Sequence, residues 1–149
     1  MAAVRVLVRK LQNYPAEWPL PAYATPGSAA VDLRNAGETF TLAPLGRRLV
    51  PTGLAVALPV HTEAQIRPRS GLALKRGITI INTPCTIDSD YRGEIRIPII
   101  NLDAEPQIIE HGERVAQLLV AEVLRIDWEA TAELPDSQRG DGGFGSTGR

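Results

Sequence analysis

A chain of 149 residues is long enough to bury one hydrophobic core and too short for two ordinary domains. With 16 basic and 17 acidic side chains its formal net charge is −1, so the basic bias that a nucleic-acid or anionic-membrane partner leaves is missing. A single cysteine, Cys85, excludes an internal disulfide framework and a cysteine-based zinc site, and any anionic ligand must be met by locally concentrated cations or by a metal ion.

The first residues, MAAVRVLVRKL, are too short and too charged for a signal peptide or a membrane span, which makes a cytoplasmic location the expectation. Val4, Val6 and Val8 alternate with Arg5, Leu7 and Arg9, the pattern of an amphipathic strand. Beyond it, 12 prolines and 13 glycines leave little room for long helices. Short apolar runs predict strands over 47–50, 54–58, 78–81, 95–100 and 114–120, several buried on both faces because the runs are continuous. His61 and His111 each stand alone in polar surroundings and read as surface loop residues. One short helix is predicted over 70–76, with Ser70 as its N-cap and Gly77 ending it. Segments 78–81 and 95–100 form the arms of a hairpin with a long loop between them. From residue 136 the chain loses apolar side chains and gains glycine. A β domain over 1–135 followed by a flexible glycine-rich arm over 136–149 is expected. The fold class is all-β, a jelly roll or distorted β-barrel with one short helix.

The string 140–145 fits G-x-G-x-x-G, but a dinucleotide fingerprint follows a strand and opens a helix, and only four residues remain after it. Two other clusters carry more chemistry. Arg69-Ser70-Gly71 combines a close-approach glycine, a helix N-terminus and two directed donors, which suits a phosphate cradle; alternatively Ser70 only caps the helix and Arg69 is solvated. In the loop before 95–100, Asn82 offers a donor and an acceptor to a base edge, Tyr91 offers a face for a sugar, and one of Asp88 and Asp90 can activate water. The plain alternative is that Asp88-Ser89-Asp90 makes a turn, which such residues often do.

Taken together, these segments resemble the trimeric dUTP pyrophosphatases, the dUTPases, in order and spacing. Five motifs carry the resemblance and cover most of the domain: AVDL at 30–33, RSGL at 69–72, 82–94 with its core TIDSDYRGE, GERVAQ at 112–117, and RGDGGFGSTG at 139–148. The third and fifth are highly specific, the first and fourth weakly so. The likeness implies hydrolysis of dUTP to dUMP and pyrophosphate, which keeps uracil out of DNA and supplies dUMP for thymidylate synthesis. By the same likeness Asp88 would deprotonate the water that attacks the α-phosphorus. Asn82 and the backbone around Thr86 and Ile87 would hold the uracil edge, and Tyr91 would pack beneath the deoxyribose. Arg69, Ser70, Gly71 and Gln117 would hold the phosphates, and Arg96 would flank the nucleoside. Phe144 would stack on the uracil while Arg139 grips the phosphate tail. Magnesium (Mg2+) would bind through phosphate oxygens and water, reached by Asp32 through its outer shell. The family's jelly roll forms a homotrimer with shared active sites, the arm of one chain covering a neighbour's site.

The chain departs from the family at Cys85, where glycine is usual in the uracil loop. A side chain there would crowd the pocket, or strain the loop if a positive φ is needed. Three readings follow: a tolerated side chain turned outward, an impaired or engineered site, or a redox-sensitive loop. Two other functions share the fold, a dCTP deaminase and a non-catalytic dUTP-binding sensor. The 87–94 segment and the 139–144 arm favour the pyrophosphatase.

Overall fold

Frequent prolines and glycines cut the chain into short extended runs, and the computed structural model, which describes residues 3–144, pairs them in antiparallel ladders throughout. The strands are β1 (Leu7–Lys10), β2 (Val31–Arg34), β3 (Phe40–Leu42), β4 (Arg47–Ala57), β5 (Thr62–Arg67), β6 (Ile78–Ile80), β7 (Cys85–Ile87), β8 (Glu94–Asn101), β9 (Gln107–Ile109) and β10 (Arg114–Glu122), with helix α1 (Ser70–Arg76) between β5 and β6. One sheet has the order β1-β4-β8-β6, a second β2-β10-β5-β7, and β3 pairs with β9 in a third. All three contribute to one core, with Val50, Ile78, Ile95, Ile97 and Ile99 from the first sheet, Leu33, Ile66, Cys85, Ile87 and Val115 from the second, and Phe40, Leu42 and Ile109 from the third. This is an all-β architecture of jelly-roll type with one short helix.

Several sequence expectations need correction. The run 95–100 does not bury both faces: β8 buries Ile95, Ile97, Ile99 and Asn101, while Arg96 is exposed and Ile100 half-buried, a two-residue period. The N-terminal strand begins at Leu7 rather than Val4, and all four of its residues are exposed, because β1 is an edge strand paired only to β4. The runs 47–50 and 54–58 are one strand. Its Pro51-Thr52-Gly53 segment, which reads as a break, is a bulge with a register shift between Pro51 and Ala55. Gly53 has φ 69°, and an added Cβ would meet Tyr14 at 2.9 Å, so only glycine fits. The groups freed by the bulge are bonded elsewhere: Thr52 Oγ1 donates to Ile95 O at 2.7 Å, and Gly53 O accepts from Leu11 N at 2.8 Å.

Helix α1 has its expected bounds, but Arg69 is its N-cap and Ser70 its first residue, and no side chain caps it. Arg69 has the extended backbone of a cap (φ −91°, ψ 129°), whereas Ser70 has turned into the helix. Gly77 ends it in the left-handed region at φ 60°, against the backbone of Asp103, which an added Cβ would meet at 2.6 Å. The hairpin between 78–81 and 95–100 exists as the β6–β8 ladder, Ile78 opposite Asn101. The intervening loop, however, contains β7, which leaves that sheet and pairs with β5 in the other.

Among the described residues no buried side-chain nitrogen or oxygen lacks a partner. Asn101, fully buried, donates to Leu42 O at 3.0 Å and Glu105 O at 2.9 Å and accepts from Asp103 N at 2.8 Å. Removing it strands three backbone groups, so Asn101→Ala should destabilise by about 2–4 kcal/mol in urea unfolding at fixed protein concentration. Glu38→Ala, which breaks an exposed pair with Arg48, should cost under about 1 kcal/mol. Equal effects would refute the reading of Asn101 as a core polar anchor.

Candidate functional site

Strand β7 aims alternate residues in opposite directions, so that Cys85 and Ile87 are buried while Thr86 and the following Asp88 are exposed. Beyond them the chain turns, with Tyr91 N donating to Asp88 O at 3.1 Å. The turn reading of Asp88-Ser89-Asp90 therefore holds, and it places Asp88 at the edge of a cavity of about 560 Å³ together with Thr86, Tyr91, Glu94 and Arg96. Tyr91 lies folded over Gly93, where an added Cβ would stand 2.3 Å from the phenol oxygen, and its hydroxyl donates to Glu94 O at 3.0 Å. The Asp88 carboxylate has no hydrogen-bonding or ionic partner among the described residues.

Glu94 is the half-buried anchor of this cavity. Its carboxylate accepts from Asn13 Nδ2 and Gly53 N, each at 2.8 Å, and from Arg96 Nε at 2.9 Å. Burial pushes its pKa up, but these three donors together outweigh burial and hold it below the ordinary 4.5.

A second group assembles where β2, β10 and the start of α1 meet. Asp32 receives Arg69 Nε at 3.0 Å and Arg114 at 3.3 Å, while Arg69 also donates to Arg114 O at 2.9 Å. Gln117, opposite Asp32 in the β2–β10 ladder, donates to Pro68 O at 2.8 Å. With Ser70, Thr83 and Pro84 it lines a cavity of about 550 Å³. A Cβ on Gly71 would meet nothing within 4 Å, so its missing side chain keeps the first turn of α1 open and serves no packing in this chain.

These two cavities share no lining residue. The structure thus brings Thr86, Ile87, Asp88, Tyr91 and Arg96 together, and separately Asp32, Arg69, Ser70 and Gln117. Asn82 is exposed and lines neither cavity. Arg139 closes a local turn by donating to Gly142 O at 2.7 Å, Phe144 is fully exposed, and neither lines either cavity. The remainder of the last motif, 145–148, lies outside the described residues. His61 and His111 are exposed, as expected, and His111 donates from Nδ1 to Gly37 O at 2.8 Å against the Trp18 ring.

Cys85 requires the clearest correction. It belongs to a strand, opposite Ile66, and its side chain is buried in the core, so it neither crowds a pocket nor turns outward. Its φ is not positive. Burial also keeps the thiol from oxidants, which removes the basis for a redox-sensitive loop. Glu94 and Arg114 lie inside the third and fourth motifs but carry no individual role in the sequence reading, and Asn13 lies in no motif. Glu94 had a signal, its i, i+2 spacing from Arg96 on one strand face; Asn13, 81 positions from Glu94, had none.

No group of three or more His, Cys, Asp or Glu suited to hold a metal occurs among the described residues. Asp32 remains partly exposed beside its two arginines, a geometry that fits contact with a hydrated ion and not direct caging.

A family model described as dUTPase matches residues 16–148. The deoxyuridine 5'-triphosphate nucleotidohydrolases of Rickettsia typhi and Rickettsia conorii are each 52% identical over 149 residues, covering 99% of this chain and 99% of their own. Among solved structures, the dUTPase of Staphylococcus bacteriophage 80alpha with dUPNHPP is 25% identical at a TM-score of 0.83, covering 97% of this chain and 99% of that one. The dUTPase from phage phi11 of S. aureus, at 22% identity and a TM-score of 0.75, shares the fold.

Two stability measurements check this geometry. Cys85→Gly removes a buried side chain from a strand and should destabilise by about 1–3 kcal/mol in urea unfolding; no loss would mean that the thiol does not pack in the core. Because the Glu94 pKa is depressed on folding, its contribution is complete above 4.5 and is lost as pH falls through the folded value. Glu94→Gln should therefore flatten the acid limb of the stability-versus-pH curve. An acid limb as steep as that of the unmodified protein would contradict the bonding described for Glu94.

Proposed function

The chain belongs to the dUTPase family, enzymes that hydrolyse dUTP to dUMP and pyrophosphate, and we propose that it performs this reaction with Asp88 as the base. The observation that carries the assignment of the base is the Asp88 carboxylate, unpartnered among the described residues, at the edge of the Tyr91 cavity; Asp32, by contrast, is held by two arginines. Asp88 takes a proton from water, the water oxygen attacks the α-phosphorus, and the bond to the bridging oxygen breaks to release pyrophosphate. One carboxylate base of this kind contributes ~10²–10⁴ in rate.

Other roles follow from placement. Strand β7 is the edge of its sheet, so backbone groups on its free side are unclaimed by a neighbouring strand, which supports uracil recognition by the backbone at Thr86 and Ile87, with Asn82 beside them. Tyr91, fixed by its bond to Glu94 O, would form the floor for deoxyribose, set to exclude a 2′-hydroxyl. Arg69, Ser70, Gly71 and Gln117 hold phosphate oxygens, with Arg139 and Phe144 supplied by an arm. Magnesium is part of this reading: when bound it neutralises triphosphate charge, and Asp32 would hold it through water.

Because Asp88 and Tyr91 line one cavity while Ser70 and Gln117 line another, we infer a homotrimer in which each site joins the Asp88 cavity of one chain, the Arg69 group of another, and an arm. The reaction removes dUTP from the nucleotide pool and supplies dUMP, in keeping with a cytoplasmic enzyme. A sensor that binds without turnover drew its support from Cys85, and burial of that side chain withdraws it.

Pyrophosphate release should be rapid from dUTP with magnesium and slow from dTTP, dCTP and UTP. Ammonia released from dCTP would instead identify a deaminase. Asp88→Asn should reduce kcat by at least ~10²-fold while dUTP binding persists. Co-refolding Asp88→Asn with a chain truncated after residue 138 should restore activity to roughly a quarter of sites by random assortment. A mixture as inactive as its components would exclude sites shared between chains.

A further inference from the structure

We propose that Asn13, through Glu94, is a positioning residue that sets the Arg96 guanidinium toward the substrate; this rests on the reading of the Asp88 cavity as the nucleoside end of the site. Asn13 lies on the exposed turn after β1, far in sequence from any motif residue. Its side-chain amide donates at 2.8 Å to Glu94 Oε1, the oxygen that also accepts from Gly53 N. The other oxygen, Oε2, holds Arg96 Nε at 2.9 Å. The carboxylate is thus fixed on one side by a turn and a bulge, and on the other it fixes an arginine.

The turn itself is anchored. Leu11 N donates to Gly53 O, and Tyr14 packs directly on Gly53, whose positive φ presents its N–H to Glu94. Asn13 adds the last donor to that arrangement and buries nothing of its own. Arg96 is held through Nε alone, and its two terminal nitrogens have no protein partner among the described residues. They remain free at the cavity that Arg96 lines with Asp88. An arginine already restrained loses less rotamer freedom when it meets substrate, so loss of Asn13 should weaken binding and leave the chemical step alone. Glu94, a carboxylate in a cavity for an anion, is tolerable there because three donors absorb its charge.

The test is steady-state kinetics with dUTP on the unmodified enzyme, Asn13→Ala, Arg96→Ala and the double variant, with unfolding temperature followed in parallel. Asn13→Ala should raise KM about three- to tenfold with kcat within about twofold. In the Arg96→Ala background the same substitution should have no further effect on KM, because the two residues act as one unit. An unchanged KM for Asn13→Ala, a fall in kcat alone, or an undiminished effect in the Arg96→Ala background would each overturn the proposal. Failure of the unmodified enzyme to hydrolyse dUTP would instead overturn the functional reading, so the two failures are distinguishable.

Discussion

Strand β7 leaves the sheet of its two sequence neighbours and pairs in the other, and the candidate site depends on that crossing. Its neighbours in sequence, β6 and β8, pair with each other, while β7 crosses to pair with β5, Cys85 opposite Ile66 and Ile87 opposite Ala64. Burial of those two side chains fixes the register, since a slip of one residue would turn Thr86 inward and expose Cys85. With the register fixed, Asp88 emerges at the end of the strand and the return turn carries Tyr91 back over Gly93. A cysteine in place of the usual glycine is then compatible with the proposed site, because at this position the side chain points into the core.

The second constraint is electrostatic. For the proposed reaction a chain with net charge −1 must bind a polyanion, and uneven pairing of its arginines offers a way. Arg69 and Arg114 share the single carboxylate of Asp32, leaving a local excess of one positive charge, and Arg96 presents free terminal nitrogens behind its bond to Glu94. Exposed pairs of this kind contribute little to stability, so redirecting an arginine from carboxylate to phosphate costs little. Arg76 is used differently: it bonds Glu113, Gln107 and the Ile108 carbonyl, tying α1 to the β9–β10 region. Local excess, with a magnesium ion as the proposed remainder, reconciles a nearly neutral chain with a strongly charged substrate.

Much of this was legible in the sequence wherever the signal was local. Helix α1 followed from its apolar residues and Gly77, and the β6–β8 ladder from two runs of isoleucine. The clusters at 69–71 and 86–91 are contiguous, so their chemistry could be read without the fold. What failed was non-local. A three-residue strand such as β7 carries no periodicity, and its pairing with β5 is a tertiary choice. Pro51 and Gly53 signal a break in any local reading, yet partners from Leu11, Glu94 and Ile95 convert that break into a bulge. The separation of base and phosphate residues into two cavities is likewise invisible to spacing, which only places motifs along one chain.

The segment after β10 connects these points. Leu124, Ile126 and Trp128 alternate along it and are all largely exposed, Trp128 at 84%, and Leu134 and Phe144 are exposed as well. Burying such side chains is worth about 1.5–3 kcal/mol each, so an isolated chain leaves much stabilisation unused. Among the described residues, the Asp88 cavity is not lined by Ser70 or Gln117, nor theirs by Asp88. Under the proposed assembly both deficits have one remedy. Anchoring the apolar residues at 124–128 against a neighbour would hold Arg139 and Phe144 on a tether of eleven to sixteen residues, about 35–55 Å at full extension. A tether of that reach keeps the arm's effective concentration near a site high without fixing it there. The glycines at 140, 142 and 143 then let the last turn adapt when ligand arrives, so that the stabilisation comes from residues before 135 and the closing motion from those after it.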